Sequence, residues 1–237
     1  MSLKVSVKKR LSCFEIDISF FCNPGSISVM IGPSGGGKTT LVRMLAGLDM
    51  PDKGRITLGD EIWFDSDTRR SIPPRKRKTG YVFQDYTLFP HLNLFENAAF
   101  AASDRKNVFE LFEIFRIDHL MQRKPHMVSG GERQRCAVCQ ALAREPEVLL
   151  LDEPFSALDF VSRRSLREEM INIKKRFDIP IIYVTHDINE ALYLADEILP
   201  VVDGRLSKTW IERPLAQSEG SEQVNRAARE VKLALAY

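Results

Sequence analysis

Ile27-Ser28-Val29-Met30-Ile31 runs directly into Gly32-Pro33-Ser34-Gly35-Gly36-Gly37-Lys38-Thr39. The first stretch reads as a buried strand. The second matches G-x-x-x-x-G-K-[ST], a turn that opens a helix and holds phosphate. Glycines let successive backbone N–H groups curl around phosphate oxygens, and the helix N-terminus adds partial positive charge. The Lys38 ammonium can reach β- and γ-phosphates. The Thr39 hydroxyl suits Mg²⁺, a hard cation that prefers oxygen. The expected nucleotide-binding set is Gly32, Pro33, Ser34, Gly35, Gly36, Gly37, Lys38, Thr39 and the following Thr40. At ordinary glycine usage such a match arises by chance in roughly one chain in a hundred of this length, and the strand–loop–helix context lowers that.

Working outward, short β-type runs alternate with helical patterns, which predicts an α/β layer fold. The first helix is expected from Lys38 to about Ala46, and a strand at Gly80-Tyr81-Val82-Phe83. From about Leu92 to Ala143 the pattern is mostly helical. Val148-Leu149-Leu150-Leu151 is continuously apolar, as in a strand covered on both faces. Leu166, Met170, Ile173 and Phe177 form one apolar stripe on a helix from about Phe160. Further strands are expected at Ile181-Ile182-Tyr183-Val184 and from Glu197 to Val202, with a helix from about Ile188 to Ala195 between them. The expected architecture is a nucleotide-binding α/β core carrying a helical subdomain, with antiparallel β structure near the N-terminus. Residues 1–84 and 145–210 would make the core and β portion, 85–144 the helical subdomain, and 211–237 a short tail.

The strand at 148–151 ends in Asp152-Glu153. In an open α/β sheet, ligands bind beyond the carboxyl ends of the strands. Asp152 is suited to the Mg²⁺ shell. Glu153 is suited to orient, or take a proton from, the attacking water. Alone, such an acidic pair is usually a solvated turn; beside a phosphate loop it reads as catalytic.

Composition narrows the field. The chain has 237 residues, 44% hydrophobic and 28% charged, with net charge +2. That composition excludes disordered and fibrous classes and gives no electrostatic argument for nucleic acid as the main partner. No apolar run approaches the roughly 18–20 residues of a spanning helix. Lys8-Lys9-Arg10 precedes an apolar stretch, but Glu15 and Asp17 interrupt it, so strand and turn are expected rather than an export signal. Four cysteines are too sparse for a disulfide framework, which makes a reducing cytoplasm the default.

More motifs follow in order: Gln84 after the strand at 80–83, Ser129-Gly130-Gly131-Glu132, Ser156-Ala157-Leu158-Asp159, and His186 after the strand at 181–184. With the two phosphate motifs, these resemble the ATPase subunit of an ATP-binding cassette transporter, a P-loop NTPase fold. The resemblance runs from about Lys4 to Gly204. It implies ATP and Mg²⁺ as ligands, with Thr39, Gln84 and Asp152 around the metal. It implies Glu153, His186 and Gln84 as the catalytic group, His186 bonding both the γ-phosphate and Glu153. Ser129, Gly130 and Gly131 would bind the γ-phosphate of ATP held by a second copy in a head-to-tail homodimer, with Asp159 at the seam. ATP would close the dimer and hydrolysis reopen it.

Within the family, residues 80–91 and 129–135 resemble importers more than exporters. The compact opening at 4–11 is most similar to molybdate and tungstate importer ATPases, with sulfate, ferric iron and polyamine importers as alternatives. The implied partners are membrane-spanning permease subunits and, indirectly, a periplasmic or extracellular solute-binding protein. Nucleic acid is not among them. The implied location is the cytoplasmic face of the membrane, reached through those subunits. Leu88, Phe89, Pro90 and Leu92 are candidates to line the docking groove. Two departures stand out: Glu132 replaces the usual glutamine and Val128 the usual leucine. Phosphate contact is therefore kept for the serine and glycines and withheld from Glu132. Phe14 is the best candidate to stack on adenine, with core packing the alternative.

Three features get plain readings. Cys136 and Cys139 are expected to pack in a helix. Arg75-Lys76-Arg77-Lys78 is expected to be a solvated loop. Phe109, Phe112 and Phe115 are expected in the core of the helical subdomain. A soluble cassette ATPase of DNA repair or translation would usually carry a coiled-coil insertion or a second cassette. A small-molecule kinase would not need the motif at 129–131.

Overall fold

The computed structural model describes residues 1–85, 87–155, 160–207 and 209–211, with the backbone alone for 160–165. Alternation of side chains along the strands explains the layers. In β8 (Val148–Asp152), Leu149 and Leu151 join one apolar cluster, and Val148 and Leu150 join another. A strand that faces two cores has to be apolar at every position. The neighbouring strands β3 (Ile27–Ile31) and β9 (Ile181–Thr185) are buried throughout for the same reason.

These strands lie in a six-stranded sheet with β7 (Thr79–Val82), β10 (Glu197–Val202) and β11 (Arg205–Leu206), in the order β11-β10-β3-β9-β8-β7. All pairings in it are parallel except β10 with β11. One face packs on α4 (Gly130–Leu142), α5 (Phe160–Arg176) and α6 (Ile188–Leu194), with α2 (Leu94–Ala99) and α3 (Arg105–Ile114) beyond them. The other face packs on α1 (Lys38–Ala46) and an antiparallel sheet. That second sheet contains β1 (Leu3–Arg10), β2 (Glu15–Cys22), β4 (Lys53–Leu58), β5 (Glu61–Asp65) and β6 (Arg70–Ser71), in the order β2-β1-β4-β5-β6. The expected alternation, the antiparallel portion and the helices after Leu92 are all present.

Leu166, Met170 and Ile173 are buried as the stripe on α5 required, and Phe177 packs at its edge. Cys136 and Cys139 are fully buried in α4. Burial pushes the Cys136 thiol up to about 12 and the Cys139 thiol up as well. Of the three phenylalanines, Phe112 and Phe115 are buried, but Phe109 is 48% exposed and stacks on Phe95 at 4.6 Å between centroids.

The basic run needs a larger correction. Arg77 is not solvated; it is 2% exposed. Its Nη1 donates to the Met44 and Leu45 carbonyls, both at 2.7 Å, and Nε donates to the Ile72 carbonyl at 2.9 Å. Its guanidinium lies over the Trp63 ring, 5.6 Å from the centroid. The helix α1 ends with orphan carbonyls and partial negative charge, which a buried guanidinium satisfies. Burial lowers the Arg77 pKa to about 10, so the group stays charged at neutral pH. Arg77 thus ties the far end of the phosphate-loop helix to the antiparallel sheet. Arg77→Ala should cost about 3 kcal/mol, because several buried acceptors lose a charged donor. At this chain length the melting temperature should drop by roughly 6–12 °C, measurable by calorimetry.

Candidate functional site

The register of the parallel strands brings the motifs together. Ile31 pairs with Thr185, and Asp152 pairs with Val184. The glycine-rich loop, the acidic pair and His186 therefore leave adjacent strands at one level, at the carboxyl edge of the sheet. Gln84 leaves the same edge two residues after β7 and is exposed.

The loop is held from below. Gly32 passes so close to β10 that a Cβ there would sit 2.0 Å from the Val201 carbonyl oxygen. Gly37 caps α1 with φ of 96°, a left-handed conformation that glycine adopts without cost. Gly36 accepts from the backbone N–H of Gly204 at 3.1 Å, and Gly204 in turn accepts from Asp17 at 2.8 Å. Pro33, Ser34 and Gly35 form an exposed crest, while Lys38 is buried. The Lys38 ammonium donates to the carbonyls of Gly32 at 2.9 Å and Pro33 at 2.8 Å. Burial lowers its pKa, and the nearby Glu153 and Asp152 charges oppose that shift.

Thr39 and Asp152 meet directly. The Thr39 hydroxyl donates to Asp152 Oδ1 at 3.1 Å, and the Tyr81 hydroxyl donates to Oδ2 at 3.3 Å. Asp152 is 3% exposed, and that burial raises its carboxyl pKa. A hydroxyl and a carboxylate in contact are a hard oxygen donor set that fits Mg²⁺ with a phosphate ligand. Among the described residues no cluster of three or more His, Cys, Asp or Glu competes for a metal. Tyr81 was missed in the sequence, where nothing set its hydroxyl apart from a core aromatic.

Glu153 follows Asp152 in a left-handed conformation, with φ of 47°. For a non-glycine residue this costs about 1–2 kcal/mol. It turns the carboxylate from the strand toward His186, whose Nδ1 lies 3.2 Å from Glu153 Oε2. The Glu153 backbone N–H donates to the Val184 carbonyl at 3.1 Å and fixes the turn.

Ser129 caps α4. Its hydroxyl accepts from the Glu132 N–H at 3.3 Å, and the Glu132 carboxylate accepts from the Ser129 N–H at 2.7 Å. This capping box gives Glu132 its job and explains why phosphate contact need not involve it. Ser129 is exposed at the N-terminus of α4, Gly130 is partly exposed and Gly131 is buried. Asp159 lies outside the described residues.

Phe14 is half-buried against the second apolar cluster, and its ring would meet a Cβ on Gly37 at 3.3 Å. It therefore packs in the core and borders the phosphate loop at once. A groove of about 420 Å³ lies between the end of α1, β7 with the segment after it, and the C-terminal end of α4, lined by Leu48, Tyr81, Phe83, Phe89, Phe100 and Gln140 among others. Of the four candidates for this groove only Phe89 lines it. Leu88 packs on the main core instead, and Pro90 and Leu92 are not among the lining residues.

A family model described as ABC transporter matches residues 16–156. The chain is 40% identical over 229 residues to the molybdate/tungstate import ATP-binding protein WtpC of Archaeoglobus fulgidus, covering 94% of this chain and 92% of that protein. It is 42% identical over 221 residues to the sulfate/thiosulfate import ATP-binding protein CysA 2 of Agrobacterium fabrum, covering 89% of this chain and 63% of that one. Among solved structures, the dimeric structure of MJ0796, a bacterial ABC transporter cassette, superposes with a TM-score of 0.72 at 27% identity, over 88% of this chain and 97% of that chain. The glycine-rich loop, the acidic pair and the capped serine motif thus sit on a shared fold, and the chain belongs to the ABC transporter family as an ATPase.

Proposed function

We propose that this chain is the energy-coupling ATPase of an importer for molybdate or tungstate, acting as a pair of copies docked on membrane-spanning subunits at the cytoplasmic face. The observation that carries the catalytic part is the Glu153–His186 contact at 3.2 Å beside the Thr39–Asp152 contact at 3.1 Å. The solute assignment rests on the similarity to WtpC over nearly the full length of both chains. The sulfate reading stands second, because the CysA 2 relative is about as similar over its matched part.

Phosphoryl transfer to water is mostly positioning and charge stabilisation. The loop N–H groups and Lys38 hold the β- and γ-phosphates, and Lys38 exchanges its loop carbonyls for phosphate oxygens. Thr39 and Asp152 would hold Mg²⁺, with Gln84 joining them from β7. Mg²⁺ held there would supply charge neutralisation for the β- and γ-phosphates. Glu153 orients the water and accepts its proton. His186 Nδ1 lies at hydrogen-bond distance from Glu153, and its other ring nitrogen is left to face a γ-phosphate oxygen; both partners are acceptors, so a neutral ring donates to one of them at a time. Ser129, Gly130 and Gly131 present the N-terminus of α4 to ATP held by the second copy. ATP then favours the closed pair because it touches both copies only there. Among the described residues no helix is long and apolar enough to cross a membrane, so coupling needs a docking surface. The groove beside Phe83 and Phe89 offers apolar area next to the Gln84 loop.

Glu153→Gln should lower kcat by about 10²–10⁴, the usual worth of a general base, with ATP affinity unchanged in a nucleotide titration. Lys38→Ala should instead weaken binding of a fluorescent ATP analogue. Phe100→Asp, which charges a 66% exposed groove residue, should abolish co-purification with the membrane subunits and leave that titration unchanged. In the complete reconstituted complex, molybdate and tungstate should stimulate ATP hydrolysis and sulfate should not; stimulation by sulfate alone would select the second reading.

A further inference from the structure

His186 is poorly held by its own side chain. That side chain is 57% exposed, and its ring meets Glu153 at 3.2 Å. Packing therefore does not aim it, and its direction depends on the backbone at 185–187.

A single hydroxyl governs that backbone. Thr185 Oγ1 accepts from the backbone N–H of Asp187 at 3.0 Å, closing a turn with His186 at its tip. The same hydroxyl donates to Glu190 Oε2 at 2.7 Å. Glu190 is 3% exposed and also accepts from the Tyr183 hydroxyl at 3.0 Å. Arg167 of α5 lies 3.6 Å from Glu190 Oε1 and 3.4 Å from Asp187 Oδ2. Asp187 caps α6 by accepting from the Asn189 N–H at 2.8 Å. The residues before and after His186 are thus fastened to one buried carboxylate and one guanidinium.

We infer that Thr185, oriented by the Glu190–Arg167 pair, is a positioning residue that aims His186 at Glu153. A carboxylate only accepts hydrogen bonds. Accepting at Oε2, Glu190 takes the Thr185 proton and leaves a lone pair of the hydroxyl for the Asp187 N–H. Were the Thr185 side chain free to turn about χ1, Oγ1 would leave the Asp187 N–H, and the turn that aims His186 would lose its acceptor. Buried ion pairs add little net stability over apolar packing, so a role in geometry accounts for this one better than a role in stability. These groups bond one another and the backbone beside His186, so their effect passes through His186.

The inference rests on His186 being catalytic, so the test begins with His186→Ala in the full chain. If that variant keeps normal kcat, the catalytic assignment of His186 fails and the inference fails with it. Given a loss there, Thr185→Val removes the hydroxyl at constant shape. It should lower kcat roughly 10- to 100-fold, the scale of a small misplacement of a catalytic group, with the KM for ATP unchanged. Thr185→Ser should restore kcat. In the His186→Ala background, Thr185→Val should change nothing further. Glu190→Gln, which keeps an acceptor but removes the charge, should lower kcat several-fold with KM unchanged, and it serves if Thr185→Val folds poorly. Wild-type kcat in Thr185→Val or in Glu190→Gln, a serine variant as impaired as the valine one, or an undiminished Thr185→Val effect without His186 would each overturn the proposal.

Discussion

The parallel register of β3, β9 and β8 is the constraint on which the site depends. Ile31 faces Thr185, and Asp152 faces Val184. Each strand then releases its next residue at the same edge: the glycine loop from one, Glu153 from another, His186 from the third. A slip of one residue in any strand would send its side chains to the opposite face and exchange the two cores. Both clusters that flank the sheet are closely buried, so the apolar packing that stabilises the fold also fixes the catalytic register.

The two buried polar groups at the base of the site, Lys38 and Asp152, each have partners. Asp152 is occupied on both oxygens, by Thr39 and Tyr81. Lys38 rests on loop carbonyls, and Arg77 saturates the far end of the same helix. The helix α1 is therefore held at both ends, by the loop above and the antiparallel sheet below. That arrangement costs desolvation, visible as the lowered pKa of Lys38 and the raised pKa of Asp152. It gives a preorganised field at the place where phosphate charge must be stabilised.

Much of this was legible in the sequence, for reasons that particular residues make clear. The helix from Lys38 to Ala46 followed from the loop that opens it, and Gly47 ends it with φ of 76°. The strand at 148–152 followed from an apolar run ending in acids. The stripe of Leu166, Met170 and Ile173 followed from period alone. Arg77 was misread because a run of four basic residues describes composition, while burial depends on what lies opposite each residue in space. Its acceptors, at Met44 and Leu45, are more than thirty residues away in sequence. Glu132 looked like a weakened motif, yet Ser-x-x-Glu is a capping box, and that signal was present. Thr185 and Glu190 are only five residues apart, but that spacing is no recognised motif, and the Arg167 beside them comes from α5.

One copy of the chain carries the glycine-rich loop, the Thr39–Asp152 contact and the Glu153–His186 contact at one edge of the sheet, and a capped helix N-terminus at the exposed Ser129. We propose that a second copy supplies that N-terminus to the first copy's ATP. The direct measurement is sedimentation of a hydrolysis-deficient chain with Mg²⁺ and either ATP or ADP. A dimer with ATP and a monomer with ADP are expected. A chain that stays monomeric when saturated with ATP, even in the presence of its membrane subunits, would contradict it.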